Sequence, residues 1–324
     1  MIIDGHNDLV ARLWRGDEPR HVHLEDAAGA DFAGGFFALF VPSSGSPKPP
    51  HPAADHYALP LPEPLAREEA ARVADELYEV FCSLPVHLAT RPDDFRPGRV
   101  AAILHLEGAE PLATDLSDLE AWYARGLRSV GLVWSRANAF AEGVPFRFPS
   151  TPDTGPGLTA AGRELVRRCN DLGIVVDLSH LNEAGFWDVA KLSSQPLVAT
   201  HSNAHALCAS TRNLTDAQLD AVGASGGVVG VNFAVSFVRE DGGQVAETPL
   251  EEIVRHVDYI ARRIGVDHVA FGSDFDGALV PESLGGIAGL PALVDGLRAG
   301  GLDDEGVAKV THRNWLRVLG DTWM

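Results

Sequence analysis

The sequence predicts an α/β protein: a (β/α)8 barrel of the TIM type, with residues 1–324 forming one domain. Two observations carry this expectation. Eight short runs are continuously apolar, as in "GIVVDL" and "GVVGVNF", which suits strands buried on both faces of a parallel sheet. Amphipathic stretches of helical length lie between them, so strand and helix alternate as in repeated βα units. An open doubly wound sheet is the alternative arrangement of the same units.

In chain order, the expected strands are Met1–Asp4, Gly35–Val41, Val100–Leu106, Ser129–Val133, Ile174–Leu178, Leu197–Ala199, Gly227–Asn232 and His268–Phe271. The helical stretches are "PLAREEAARVADELYEVFCSL", "TAAGRELVRRCNDLG", "TDAQLDAVGASG" and "TPLEEIVRHVDYIARRIG", with "DDEGVAKVTHRNWLRVLG" closing the chain. Thr159 and Thr215 precede apolar periodicity and suit N-caps, while Gly173 and Gly265 stand where helices should stop. Pro42–Pro64 and Ala141–Pro156 are rich in turn formers and read as long excursions after the second and fourth strands.

Composition narrows the function. With 26 Lys and Arg against 45 Asp and Glu, the net charge is -19, a poor basis for holding phosphates, so nucleic acid is excluded as a partner. No apolar run is long enough to span a bilayer, and the chain starts directly on a strand, so a soluble cytoplasmic protein is expected. The three widely spaced cysteines, Cys82, Cys169 and Cys208, form neither a disulfide framework nor a metal knuckle.

The chemistry is concentrated at the C-terminal ends of the strands, where barrel enzymes carry their active sites. "MIIDGHND" ends the first strand with His6 and Asp8, two residues apart and therefore pointing the same way on extended chain. The third strand ends at Glu107, the fifth at His180, the sixth at His201 and the eighth at Asp274. Nitrogen and oxygen donors of this kind suit a borderline ion such as zinc. The set is too large for one ion and about right for two, with Glu107 or Asp8 as the bridging carboxylate.

These motifs, "DGHND", "LEGAE", "DLSH", "THSNAHALCASTRN", "GVNF" and "GSDFDG", resemble those of the membrane (renal) dipeptidase family, including its soluble bacterial-type zinc dipeptidases, over nearly the whole chain. The resemblance implies a metal-dependent hydrolase barrel with two Zn2+ ions that cleaves dipeptides bearing a free C-terminal carboxylate and tolerates a D-residue there. It implies that His6 and Asp8 bind one ion, His180 and His201 the other, and that Glu107 bridges them. Asp274 would handle protons and Arg212 would grip the substrate carboxylate. A dipeptide is then the expected partner, and a homodimer stays open. The family histidine after the fourth strand is missing: "LVWSRANAF" offers Trp134, with Arg136 and Asn138 nearby, so Trp134 and Asn138 are candidate substrate contacts. The rival readings are a dinuclear hydrolase of lactones or cyclic amides on the same barrel, and a binding barrel without activity.

Blander roles are expected elsewhere. His105 reads as a core or supporting residue, and Asp276 as a turn or supporting carboxylate. His21, His23, His51, His56 and His87 read as solvated. Phe140, Phe146 and Phe148 read either as a pocket wall or as loop packing.

Overall fold

The computed structural model describes residues 1–43 and 56–323. Eight parallel strands follow one another around a nearly closed barrel: β1 (Ile2–Asn7), β2 (Phe32–Phe40), β3 (Ala101–Glu107), β4 (Leu127–Gly131), β5 (Val175–Asp177), β6 (Val198–Ala199), β7 (Val228–Val231) and β8 (Val269–Phe271). The ring is completed just past β8, where Asp274 N–H donates to His6 O at 3.0 Å and Asp8 N–H donates to Phe275 O at 2.8 Å. Every residue of β1, β2 and β3 is buried, as the continuous apolar runs require.

The strand limits differ from expectation in a useful way. β1 runs on to Asn7, so His6 lies within the strand and inherits its rigidity. β2 starts earlier, at Phe32, and passes through Gly34 at φ 112°, where a Cβ would collide with the Ala101 carbonyl of the neighbouring strand. Gly35, expected as the start of the strand, lies inside it at a second close approach, where a Cβ would meet the Asp4 carbonyl.

The helices pack outside the barrel. Thr159 Oγ1 accepts the Gly162 N–H at 3.1 Å, and Thr215 forms a capping box with Gln218. Gly173 (φ 67°) and Gly265 (φ 96°) end their helices in conformations that suit glycine. Helices Leu119–Ala124, Glu183–Leu192 and Leu290–Ala299 complete the outer layer; their weaker or shorter periodicity gave no sequence expectation. The closing helical segment contains a π-turn over Lys309–Arg313, followed by helix Asn314–Thr322. Trp315 of that helix is fully buried inside the barrel, donating from Nε1 to Phe271 O at 3.0 Å and packing 4.9 Å from the Phe36 ring. It joins Ile3, Ile103, Val175, Val198, Val228 and Ala270 in an apolar layer at the N-terminal ends of the strands. The opposite end is left to polar residues.

The two excursions are not independent. Tyr57–Leu59 from the first pairs antiparallel with Phe146–Phe148 from the second, and Tyr57 stacks on Phe148 at 5.9 Å. His51 lies outside the described residues.

Candidate active site

The polar end of the barrel gathers the strand-end residues around Glu107, the last residue of β3. Its Oε2 is 3.5 Å from His6 Nε2, and its Oε1 is 3.2 Å from His180 Nε2 and 3.6 Å from His201 Nε2. His6 Nε2 also lies 3.5 Å from Asp8 Oδ2, and the Nε2 atoms of His180 and His201 are 3.1 Å apart. Donor atoms of His6, Glu107 and His201 fall within 4.8 Å of one another, as do those of His6, Asp8 and Asp274. The six strand-end residues are thus brought together, and Glu107 turns one oxygen to each side.

Local backbone explains how short strands reach one point. His180 (φ 66°) and Asp274 (φ 61°) sit in left-handed conformations just past β5 and β8. Such residues are costly outside glycine and cluster at functional sites, where surrounding contacts hold them. Around Asp274 those contacts include Asn232 Nδ2, which donates to Oδ2 at 2.9 Å. Gly277 closes the turn, and a Cβ there would strike both Asp8 Oδ2 and Asp274 Oδ1. Asp276 carries no site chemistry: its carboxylate accepts the N–H groups of Arg20, His21 and Val22 at 2.7, 2.9 and 3.2 Å. His21, expected in solvent, is 4% exposed, because its Nδ1 accepts the Asp276 N–H at 2.8 Å.

The electrostatics of this cluster call for a cation. Burial, reinforced by Asp8 and Asp274 and opposed by His6, raises Glu107 to about 7. Burial likewise raises Asp274, with Asp8 adding to the effect. For His6 burial works against the proton, but Glu107 and Asp8 outweigh it and hold the imidazole well above its ordinary range. Burial drives His180 and His201 well below theirs, so both are neutral and keep a lone pair. Both nitrogens of His6 are buried without a hydrogen-bond partner among the described residues. Unpaired buried imidazole nitrogens beside converging carboxylates are expensive unless an ion satisfies them. The donor set therefore fits divalent metal.

Arg212 belongs to the same site. It is 3% exposed, its Nη2 donates to His201 O at 3.1 Å, and its buried Nε has no hydrogen-bond partner among the described residues. Its guanidinium lies 5.5 Å over the Phe237 ring. Burial lowers it to about 10, which leaves it charged at neutral pH.

The residues after β4 divide among three roles. Trp134 faces the site, its ring 5.9 Å from that of His180 and 4.9 Å from that of Phe40. Arg136 is fully buried, 3.0 Å from Glu110 Oε1, and donates to Val41 O at 2.8 Å, so it ties two loops together. Asn138, expected to touch substrate, is instead occupied by its own loop: Nδ2 donates to Leu132 O at 2.8 Å, and Oδ1 accepts from Phe140 and Ala141 N–H at 2.8 and 3.1 Å. Of the aromatics, Phe146 stands 6.3 Å from the His180 ring and stacks against Phe237, whereas Phe140 is core at 1% exposure.

Sequence reasoning passed over the residues that hold the clustered histidines from behind. Ser135 Oγ is 2.7 Å from His180 Nδ1, and Thr200 Oγ1 is 2.8 Å from His201 Nδ1. Asn232 lies within the quoted "GVNF", and its position at a strand end was the available signal. His105 matches its expected supporting place, fully buried with Nδ1 2.9 Å from Ser129 Oγ.

No helix among the described residues is long and apolar enough to cross a membrane. The sequence pattern of "Membrane dipeptidase (Peptidase family M19)" matches residues 1–323. A protein of the pqqA 5′ region of Klebsiella pneumoniae is 54% identical over 224 residues, covering 69% of this chain and 83% of its own. The dipeptidase tcpJ of Claviceps purpurea is 31% identical over 241 residues, 72% of this chain and 55% of its own. The crystal structure of a metallopeptidase from Rhodobacter sphaeroides, liganded with a phosphinate mimic of the dipeptide L-Ala-D-Ala, superposes with a TM-score of 0.94 at 45% identity, covering 99% of each chain. Because the family pattern spans the whole barrel that carries the metal-type cluster, this chain belongs to the membrane dipeptidase family, peptidase family M19, and is a metal-dependent dipeptidase.

Proposed function

We propose that this protein is a dinuclear zinc dipeptidase acting on dipeptides with a free C-terminal carboxylate, and that it accepts a D-residue at the C-terminal position. The observation that carries this reading is the split of Glu107: Oε2 faces His6, and Oε1 faces His180 and His201. A carboxylate so placed could serve two ions, with His6 and Asp8 to hold one and His180 and His201 to hold the other. The phosphinate dipeptide in the Rhodobacter sphaeroides structure supports the substrate class and the D-configuration.

When bound, the ions supply Lewis-acid polarisation of the scissile carbonyl and an activated water. The chain supplies the rest. Asp274 holds Oδ2 against Asn232 and is the group placed to take a proton and pass it to the leaving amine. Arg212 binds the substrate carboxylate by charge-assisted hydrogen bonds, using the Nε that no group among the described residues satisfies. With Arg212 held on the His201 carbonyl, this reading has a single residue between the scissile bond and the guanidinium, so longer peptides should be poor substrates. Trp134 borders the same space and donates only through its indole N–H.

Metal analysis of protein purified without chelator is expected to give about two divalent ions per chain. L-Ala-L-Ala and L-Ala-D-Ala should be hydrolysed, while their C-terminal amides, the tripeptide and simple lactones should be poor substrates. A saturated content of one ion removes the dinuclear reading, and equal turnover of acid and amide removes the carboxylate clamp.

A further inference from the structure

Asp177, the last residue of β5, is a buried carboxylate outside the metal-type cluster, 1% exposed. Its Oδ1 accepts two backbone N–H groups, from Thr200 at 2.8 Å and Ser179 at 3.0 Å. Its Oδ2 accepts the Thr200 hydroxyl at 2.6 Å. The same hydroxyl oxygen is 2.8 Å from His201 Nδ1.

These contacts settle where the hydrogens are. A threonine hydroxyl has one proton, and a short contact to a carboxylate, which only accepts, uses it. The contact to His201 Nδ1 is then made with the imidazole's own hydrogen, Nδ1–H donating to Thr200 Oγ1. A neutral imidazole carrying hydrogen on Nδ1 has its lone pair on Nε2, the atom that faces Glu107 Oε1 at 3.6 Å and His180 Nε2 at 3.1 Å. His180 is not fixed in this way, since its Nδ1 meets the Ser135 hydroxyl, which is free to turn as donor or acceptor.

We propose that Asp177 and Thr200 are positioning residues that lock His201 in the tautomer whose Nε2 is open to metal, with the proton order running from His201 Nδ1–H to Thr200 Oγ1–H to Asp177. The proposal rests on the reading of His201 as a metal ligand only for its consequence; the tautomer itself is a property of the chain.

Asp177→Asn gives a directional test. Two backbone N–H groups face the Oδ1 side, so the amide oxygen takes that side and the NH2 group faces Thr200. The Thr200 oxygen then accepts from the amide and turns its own hydrogen to His201 Nδ1, which moves the imidazole hydrogen to Nε2. In 15N-histidine spectra of the full-length, metal-stripped protein, with His201 assigned through His201→Gln, the wild type should show the Nδ1–H form and Asp177→Asn the Nε2–H form. Zinc affinity, measured by chelator competition, should fall roughly 10–100-fold in Asp177→Asn and in Thr200→Val, as for other outer partners of ligand histidines, and Thr200→Ser should restore it. Thr200→Val keeps the side-chain shape and serves where Asp177→Asn does not fold. An unchanged His201 tautomer in Asp177→Asn, or in Thr200→Val zinc affinity within twofold of wild type, overturns the proposal. If the wild type binds no zinc, the ligand reading fails, while the tautomer comparison still decides for or against the lock.

Discussion

Asp274 holds a left-handed φ of 61° with one carboxylate oxygen committed to Asn232, and Gly277 packs directly against the other. Asp274→Asn keeps the size and removes the proton acceptor. It should lower kcat by roughly 10²–10⁴, the usual span for a general acid–base group, with metal content unchanged; near-normal turnover would assign the proton elsewhere. Gly277→Ala should act differently. The added methyl meets Asp8 as well as Asp274, so metal content and turnover should fall together, and an intact metal content would show that the turn gives way. On the proposed reading Arg212→Met removes charge-assisted hydrogen bonds to substrate worth about 1.5–3 kcal/mol each, so kcat/KM should drop roughly ten- to a thousand-fold, and the preference for free acid over amide should shrink. At this scale, His6, Asp8, Glu107, His180, His201 and Asp274 were legible because each follows an apolar run, and a strand end has one address in a barrel. Asp177 and Ser135 were not, because each meets its partner, Thr200 or His180, only across the fold, and Thr200, though next to His201 in sequence, gives no sign there that its hydroxyl turns to that ring. Asn138 showed the converse: a polar residue near the rim whose bonding capacity is used within its own loop.

Among the elements, helix Glu251–Ile264 couples the barrel wall to the loop that carries Arg212. It buries Ile253, His256, Val257 and Ile260, a helical stripe with one titratable member. His256 Nδ1 accepts the Ala204 N–H at 3.2 Å, and Nε2 donates to Val238 O at 3.0 Å. Burial lowers its pKa from 6.5 to about 3. The unfolded chain therefore takes up this proton first as the pH falls, and stability is lost progressively from about pH 6.5 towards about 3. Within that window the cost is about 1.4 kcal/mol per pH unit for this one group. His256→Gln, whose amide can still accept from Ala204 and donate to Val238, should flatten the acid limb of a urea-unfolding series; an unchanged limb would place the acid sensitivity in other groups. Helix ends in the chain were readable from Thr159, Thr215, Gly173 and Gly265, since capping is a local matter. The pairing of Tyr57–Leu59 with Phe146–Phe148 was not, because it joins two excursions far apart in sequence through contacts that neither segment signals alone.

For the whole molecule, the acidic balance of -19 meets its sharpest expression at the cluster, where Asp8, Glu107 and Asp274 face one another. A bound cation resolves that repulsion in the folded state and has no comparable site in the unfolded chain, so metal and stability are linked. At a free ion concentration one hundred times the dissociation constant, one such site contributes about 2.7 kcal/mol. For a chain of this length that corresponds to a rise in Tm of roughly 4 °C, from an unfolding entropy of about 2.1 cal/mol/K per residue. Stripping the metal should therefore lower Tm by at least this amount. The size of the loss should also depend on pH with a definite sign. Without metal, Glu107 in the folded protein holds its proton up to about 7 against an ordinary 4.5, so the folded state binds more protons than the unfolded one between these values, and its stability declines as the pH rises through them. A bound cation favours the ionised carboxylate and removes that decline. Scanning calorimetry of loaded and stripped protein from pH 5 to 8 should accordingly show a gap that widens from acid to neutral pH and then levels. A gap that narrows over the same range would mean that Glu107 is ionised without metal, and that the cation is held chiefly by other residues.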